Sequence, residues 1–573
     1  MQLVKYLFNT LFLLIIAALT PACSSDEPMP GGDTDTDGPG IFLKITLGQP
    51  AASRANPNGG ENGDGYEAGR YHENDIHTLA LFIYYDDEGK NVNSDPGTPF
   101  IMKAFIDEET LAASKVTSGA NPYYATYKIR VKNFDIDTFR PMSVVTVINT
   151  TEADDIVNKV YNMGKLTDFI VQKSVDQKKN IPDSDWFVMS NARSDGDNHP
   201  EMGANGHGTI TIPQVSDLSQ IGDKDHPLAA EITVRRLAAR IDILALAPPN
   251  AIYDEIQGGA ALHYTVNEAP GDVGEKRKTA DVFVTHLLPV NIMQKPSYAL
   301  KHITKRNGDA LSLEEVINRG FPNGYVINIE ETVSPDGVPD NYVFDPLSLL
   351  KPNATAAQCQ EWFGETAVGN LTAASFTPDN RVDKLMPADQ WFECSDAPNS
   401  KSVILTYANE NCADRTMLRT DILTGLVMRA VYVPVTVYAG GNPLTPGNYS
   451  AGQDLWRVMP VKESVTDADC LYFNNEAAAK AYIAANPEKL ATINAIPQGQ
   501  CYYNVWLRHA REDKYTAGPM PMEYAIVRNN IYRIIFTFHG PGSQNIIERE
   551  PEYINTRIFL RKWNFMRHPE IIM

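Results

Sequence analysis

The chain has 573 residues, with 71 acidic against 50 basic side chains and a formal net charge of -21. That balance excludes a function built on gripping a nucleic-acid backbone, which needs a basic surface, and it reads as solubility. The length suits two or more domains, and an apolar content of 43% with 9% aromatics suits a strand-rich globular protein.

The N-terminus reads as a targeting segment. Lys5 is followed by an apolar run from Leu7 to Leu19, too short to span a bilayer and right for a signal peptide over 1–22. Thr20-Pro21-Ala22 ahead of Cys23 looks like a bacterial lipoprotein cleavage site, so Cys23 is the expected lipidated residue. Residues 23–40 read as a flexible acidic tether. An EF-hand loop opening at Asp33 would need a glutamate where Lys44 stands, so calcium is not expected there.

Ile41, Leu43, Ile45 and Leu47 alternate with Lys44 and Thr46, the period of a strand with one buried face. Gly48-Gln49-Pro50 breaks it, and Ser53-Arg54-Ala55 begins a stretch too rich in Gly and Asn to hold a strand. A good core strand thus runs straight into a segment that a trypsin-like protease could cut, and a cut would remove the strand and leave a groove. Further strands are expected at 76–85, 123–131, 143–148 and 209–212, with a helix from Ala153 to Gly164.

From Glu231 to Leu246 the alternation changes phase near Arg235-Arg236, as at a bulge or where a strand leaves one sheet for another. That places domains at 55–235 and 236–573, the second with a Pro- and Asn-rich insertion near 340–400. Later strands are expected at 281–290, 403–407, 425–438, 501–507 and 524–538, and a helix across Asn475–Asn494. The close, from Thr556 to Met566, carries Phe559, Trp563 and Phe565 on one parity and Ile558, Leu560 and Met566 on the other. Large apolar residues on both faces need cover, either from the chain's own sheet or from another molecule. Frequent turns, many strands and few helices are the grammar of an all-β sandwich or barrel.

The sequence has no HExxH, CxxC, GxSxG or Walker loop, so no enzyme, metal or cofactor is expected. Gly63 to Ala68 fits a dinucleotide fingerprint as a string but follows no strand. Beyond Cys23, the odd set Cys359, Cys394, Cys412, Cys470 and Cys501 is no disulfide framework.

Several pieces together resemble the Bacteroidales fimbrillin family, the type V pilins, and among them the short-fimbria major subunit. They are the lipoprotein signal, the first strand with Ser53-Arg54-Ala55, Glu73-Asn74-Asp75-Ile76, the Arg236 to Arg240 segment, Cys501 to Leu507, Val527 to Ile534, and the terminal strand with Trp563. The resemblance implies two tandem transthyretin-like β-sandwich domains. It implies an outer-membrane lipoprotein precursor, held by lipid on Cys23. An Arg-specific extracellular protease would cut Arg54-Ala55, with Arg70 as the second candidate, removing 41–54. A strand from another pilin subunit would then fill the groove, with Thr556–Met566 as the candidate donor. The competing readings are a tethered β-sandwich binder of glycan or protein, and a tip or anchor pilin in place of a stalk subunit.

Overall fold

The strand read from Ile41 to Leu47 is present, and it lies inside a sheet. The computed structural model describes residues 40–48, 65–69, 71–85, 101–116, 124–132, 142–149, 170–171, 187–191, 208–211, 222–245, 253–256, 258–267, 277–293, 297–298, 325–326, 342–343, 356–394, 400–409, 421–462, 466–509, 524, 526, 528–548 and 553–564. The first half contains β1 (Gly40–Gly48), β2 (Gly65–Ala68), β3 (Leu79–Tyr85), β4 (Met102–Ile106), β5 (Tyr124–Lys132), β6 (Met142–Ile148), β7 (Ile170–Val171), β8 (Met189–Asn191), β9 (Gly208–Thr211) and β10 (Leu228–Arg236). Seven of these form the path β4-β3-β6-β8-β10-β1-β5, and β9 joins both β10 and β6. Ile45, Leu47, Leu81, Val144 and Ile232 meet in the core on this sheet.

After the single residue Leu237 the chain continues as β11 (Ala238–Ala245), which belongs to a different sheet. The phase change near Arg236 is therefore a strand passing between sheets, the second of the two causes the pattern allowed. Next come β12 (Asp254–Ile256), β13 (Gly259–Asn267), β14 (Lys278–Val290), β15 (Ser297–Tyr298), β16 (Tyr325–Val326), β17 (Tyr342–Val343), β18 (Phe392–Glu393), β19 (Lys401–Asn409) and β20 (Gly425–Pro434). The chain ends with β21 (Tyr438–Gly441), β22 (Leu444–Pro446), β23 (Leu455–Pro460), β24 (Leu471–Phe473), β25 (Ala491–Ile496), β26 (Gln500–Trp506), β27 (Asn530–Phe538) and β28 (Ile554–Asn564).

Two sheets, β18-β19-β11-β27-β28-β2 and β12-β13-β14-β20-β26, enclose the larger core. Ile243, Leu405 and Ile534 of the first meet Val282, Met428 and Tyr503 of the second. That is a sandwich, and the fold is all-β with a few short helices. Between β20 and β26, which pair directly, a lobe is inserted with the sheet β22-β21-β24-β23-β25 and the helix Glu476–Ala485.

Two expectations need correction. The helix placed across Asn475–Asn494 stops at Ala485, and Ala491–Ile496 is β25, paired with β23. Asn475 caps its start, accepting from Ala478 N at 2.8 Å, and Pro487, which has no N–H to give, follows its end. The helix buries Ala478 and Ala479, not Ala477 and Ala481, and Leu490 stands exposed. The stretch near 340–400 is also more than an insertion: Val382, Met386 and Trp391 join the sandwich core. Cys394, Cys470 and Cys501 are free thiols. The signal peptide, nearly all of the tether and the helix at Ala153–Gly164 lie outside the described residues.

Candidate strand-exchange site

β1 is flanked on both edges. It runs parallel to β10, with Leu43 opposite Leu228 and Leu47 opposite Ile232. It runs antiparallel to β5, with Leu43 opposite Ile129 and Ile45 opposite Tyr127. Ile41, Leu43, Ile45 and Leu47 are all buried, the last two completely. Phe42 N donates to Gly222 O at 2.6 Å, and the Thr46 and Thr126 hydroxyls lie 3.1 Å apart. Gly222 sits at φ +80°, and a Cβ there would press on Ile41. Were β1 taken out, β10 would remain in the sheet through β8 and β9. β5 would remain held by residues 114–116, where Lys128 N donates to Ser114 O at 2.8 Å and Val116 N to Thr126 O at 2.9 Å. The slot would keep both walls.

Downstream, the chain is fastened to the second half. Gly65 to Ala68 form β2 and pair in parallel with Arg561 to Asn564 of β28. The short 3-10 helix Tyr71–Asn74 follows, with Glu73 fully buried. The Glu73 carboxylate accepts from Tyr407 Oη at 2.7 Å and from Arg240 Nη1 at 3.1 Å. Its carbonyl accepts from Arg236 Nε at 2.8 Å, and Arg236 also donates to Asn74 Oδ1. Arg240 pairs with both oxygens of Asp242 at 2.9 Å, and Arg533 reaches the same carboxylate at 3.0 Å. Burial lowers the Arg236 guanidinium to about 10, still charged at neutral pH. Burial and the Glu73 charge push the Tyr407 phenol well up, so it stays protonated and donates. Gly69 packs against this cluster, where a Cβ would stand 2.9 Å from Arg236 Nη2 and nearer still to Asn74 Oδ1. A little further on, Asn149, at φ +59°, accepts from His77 N at 2.7 Å and donates to Asp75 O at 2.6 Å.

The terminal strand does not stand free. Ile554 to Lys562 of β28 pair antiparallel with β27. Ile554, Ile558 and Phe559 are buried, the two isoleucines in the main core. Leu560 and Trp563 are seated in the same strand, while Phe565 and Met566 lie outside the described residues. Cys23, Arg54 and Ala55 lie outside them too. Of the expected site residues the structure thus gathers the four of β1 in one core and those of β28 in another.

The ion cluster was missed at the sequence level, although its residues lay inside segments that carry the family resemblance. A signal was there: Arg240 and Asp242 share a parity in an otherwise apolar strand, and Arg533 sits opposite Asp242 on β27. Charges at alternating positions of a buried strand have to meet one another.

The fold and this site define a strand-built protein of tandem sheets with an interior first strand. Residues 495–567 match the family model described as major fimbrial subunit protein type IV, fimbrillin, C-terminal. That segment holds β26, β27 and β28 together with Cys501 to Leu507 and Val527 to Ile534, two of the stretches that suggested the family. By this match the chain is a fimbrial subunit of the fimbrillin kind. No curated protein matches the chain. Among solved structures it is similar to the tip fimbrial protein Mfa3 from Porphyromonas gingivalis, at 10% identity and a TM-score of 0.31, over 92% of this chain and 100% of that one. It is also similar to a fimbrilin (fimA) from Porphyromonas gingivalis, at 12% identity and a TM-score of 0.33, over 92% and 99%. A fimbrial assembly protein from Parabacteroides distasonis is 10% identical with a TM-score of 0.24, over 79% and 99%.

Proposed function

We propose that this chain is the precursor of a surface fimbrial subunit in which β1 is a placeholder. Cleavage at Arg54-Ala55 by an Arg-specific protease releases residues 41–54, and a strand from another subunit enters the vacated slot. Lipid on Cys23 holds the precursor at the outer membrane until then, and the processed protein serves adhesion within the fibre. The observation that carries this reading is the place of β1: an interior strand with a fully apolar buried face, directly ahead of the stretch holding Arg54. Burying its four inward side chains contributes roughly 6–12 kcal/mol. Emptying the slot also exposes the ladder groups of two strands, and β-augmentation restores both terms.

Between the two candidate bonds, the geometry favours Arg54. Arg70 falls between Gly69, which is buried, and a 3-10 helix whose Glu73 and Asn74 are buried. A protease needs an extended, accessible stretch, and both flanks of Arg70 are clamped.

A second reading, a capping subunit that accepts a strand and gives none, is favoured by one observation. β28, the expected donor, is integral to its own sheet.

The test is to treat the purified precursor with an Arg-specific protease, then sequence the new N-terminus and measure urea unfolding. Expected are an N-terminus at Ala55 and a sharp loss of stability once 41–54 is stripped away. Unchanged stability after complete removal would contradict the placeholder reading.

A further inference from the structure

If β1 leaves, which strand takes its place? This inference rests on the placeholder reading above and asks for the occupant. The slot needs apolar side chains at four alternating positions, those now filled by Ile41, Leu43, Ile45 and Leu47. Consider β28 of a second copy, threaded in the direction of β1. Every odd-numbered phase puts Arg557 or Arg561 into an apolar pocket. With Ile558 in the Ile41 pocket, Lys562 lands where Ile45 is fully buried. One register is tolerable: Ile554, Thr556, Ile558 and Leu560 for Ile41, Leu43, Ile45 and Leu47. Yet in that register Ile554 and Ile558 have to leave the core of their own sandwich, together with Phe559 and the pairing to β27. The slot gained and the slot emptied are nearly equal. After cleavage each copy has two places to fill and one strand to fill them.

The outward face of the slot adds a charge argument. Lys44 lies directly opposite Lys128 of β5, and Phe42 opposite Arg130. Like charges placed opposite one another across a pair are unfavourable. β28 in its one tolerable register would set Arg557 at the Lys44 position and keep the repulsion. An acidic residue there would relieve it.

We propose that the slot is filled by a different polypeptide and not by another copy of this chain. Its strand carries Ile, Leu or Val at four alternating positions and an Asp or Glu between the second and third. It runs parallel to β10 and antiparallel to β5. The departing strand is less well matched to the slot than the arriving one, which gives the exchange its direction.

The experiment uses the protein nicked after Arg54, with 41–54 still seated. Three labelled peptides are offered: residues 40–48, the same peptide with Lys44→Glu, and residues 553–561. Exchange is followed by native mass spectrometry, and size by light scattering. Expected are a monomer without peptide, and displacement by the Lys44→Glu peptide at about 3- to 10-fold lower concentration than by the native one, with the gap closing at high salt. Residues 553–561 should bind at least about 100-fold more weakly, given a threonine in the Leu43 pocket and an arginine facing Lys128. Self-assembly of the nicked protein, or tight binding of 553–561, or no preference for Lys44→Glu, would each overturn the proposal and leave the placeholder reading standing. Failure of the 40–48 peptide itself to exchange would overturn both.

Discussion

Glu73 is the residue on which the attachment of the post-cleavage segment turns, and replacing it by glutamine tests this at constant shape. The change removes one of the two carboxylates, Glu73 and Asp242, that face Arg236, Arg240 and Arg533, all of them buried. Taking one partner from a buried ion pair costs about 3–5 kcal/mol. If that cost is felt where the segment docks, the population in which 69–74 has lifted away rises by about two to three and a half powers of ten. Brief trypsin digestion under native conditions reads this population directly, because the cutting rate at a protected bond follows the open fraction. Glu73→Gln should speed cutting at Arg70 by about 100-fold or more and leave cutting at Arg54 unchanged. Tyr407→Phe removes only the 2.7 Å hydrogen bond to the same carboxylate. It should raise Arg70 cutting by about 10- to 100-fold, as loss of one charge-assisted bond requires. Equal acceleration at both bonds, or none at Arg70, would refute the claim that this cluster is what fastens the segment.

Other outcomes follow from the same coordinates. His286 is pushed down to about 4 by burial, then by the Arg429 and Arg381 cations. The folded protein therefore binds fewer protons than the unfolded chain between about pH 6.5 and 4, so stability is complete above this window and is lost as pH falls through it. Urea midpoints at pH 7 and 4.5 should differ less in His286→Gln than in the parent. The Cys501 and Cys470 thiols are pushed up to about 12 and about 11, chiefly by burial, whereas Cys394 is half-buried. Mild alkylation at pH 8 followed by peptide mapping should label Cys394 well before the other two. Leu490 holds φ +26° with its side chain 69% exposed. Leu490→Gly should stabilise the inserted lobe by about 1 kcal/mol in thermal melts, because glycine reaches that backbone without strain.

How much of this was legible in the sequence varies by element. Strands with one polar face announced themselves, as Ile41 to Leu47 did, because period two needs only local information. The phase change at Arg236 was legible too, though it named two causes and the sheets had to choose between them. The region near 340–400 misled because its short turns carry little periodicity, while Val382, Met386 and Trp391 reach the core singly. The helix after Asn475 was overextended because alanines suit both of its faces, and nothing before Pro487 marked the change to β25. The Glu73 cluster was out of reach for a different reason. Its members come from positions as far apart as 73, 240, 407 and 533, and only the assembled sheets bring them together.

One peptide unit, that of Leu237, separates β10 from β11. β10 is the parallel wall of the slot, and β11 lies in the heart of the other sheet. A pull on whatever strand sits in the slot would thus travel along taut backbone from one sheet to the next, with no slack loop to stretch. The strand in the slot would be loaded in shear, so its ladder bonds would have to fail together instead of unzipping one by one.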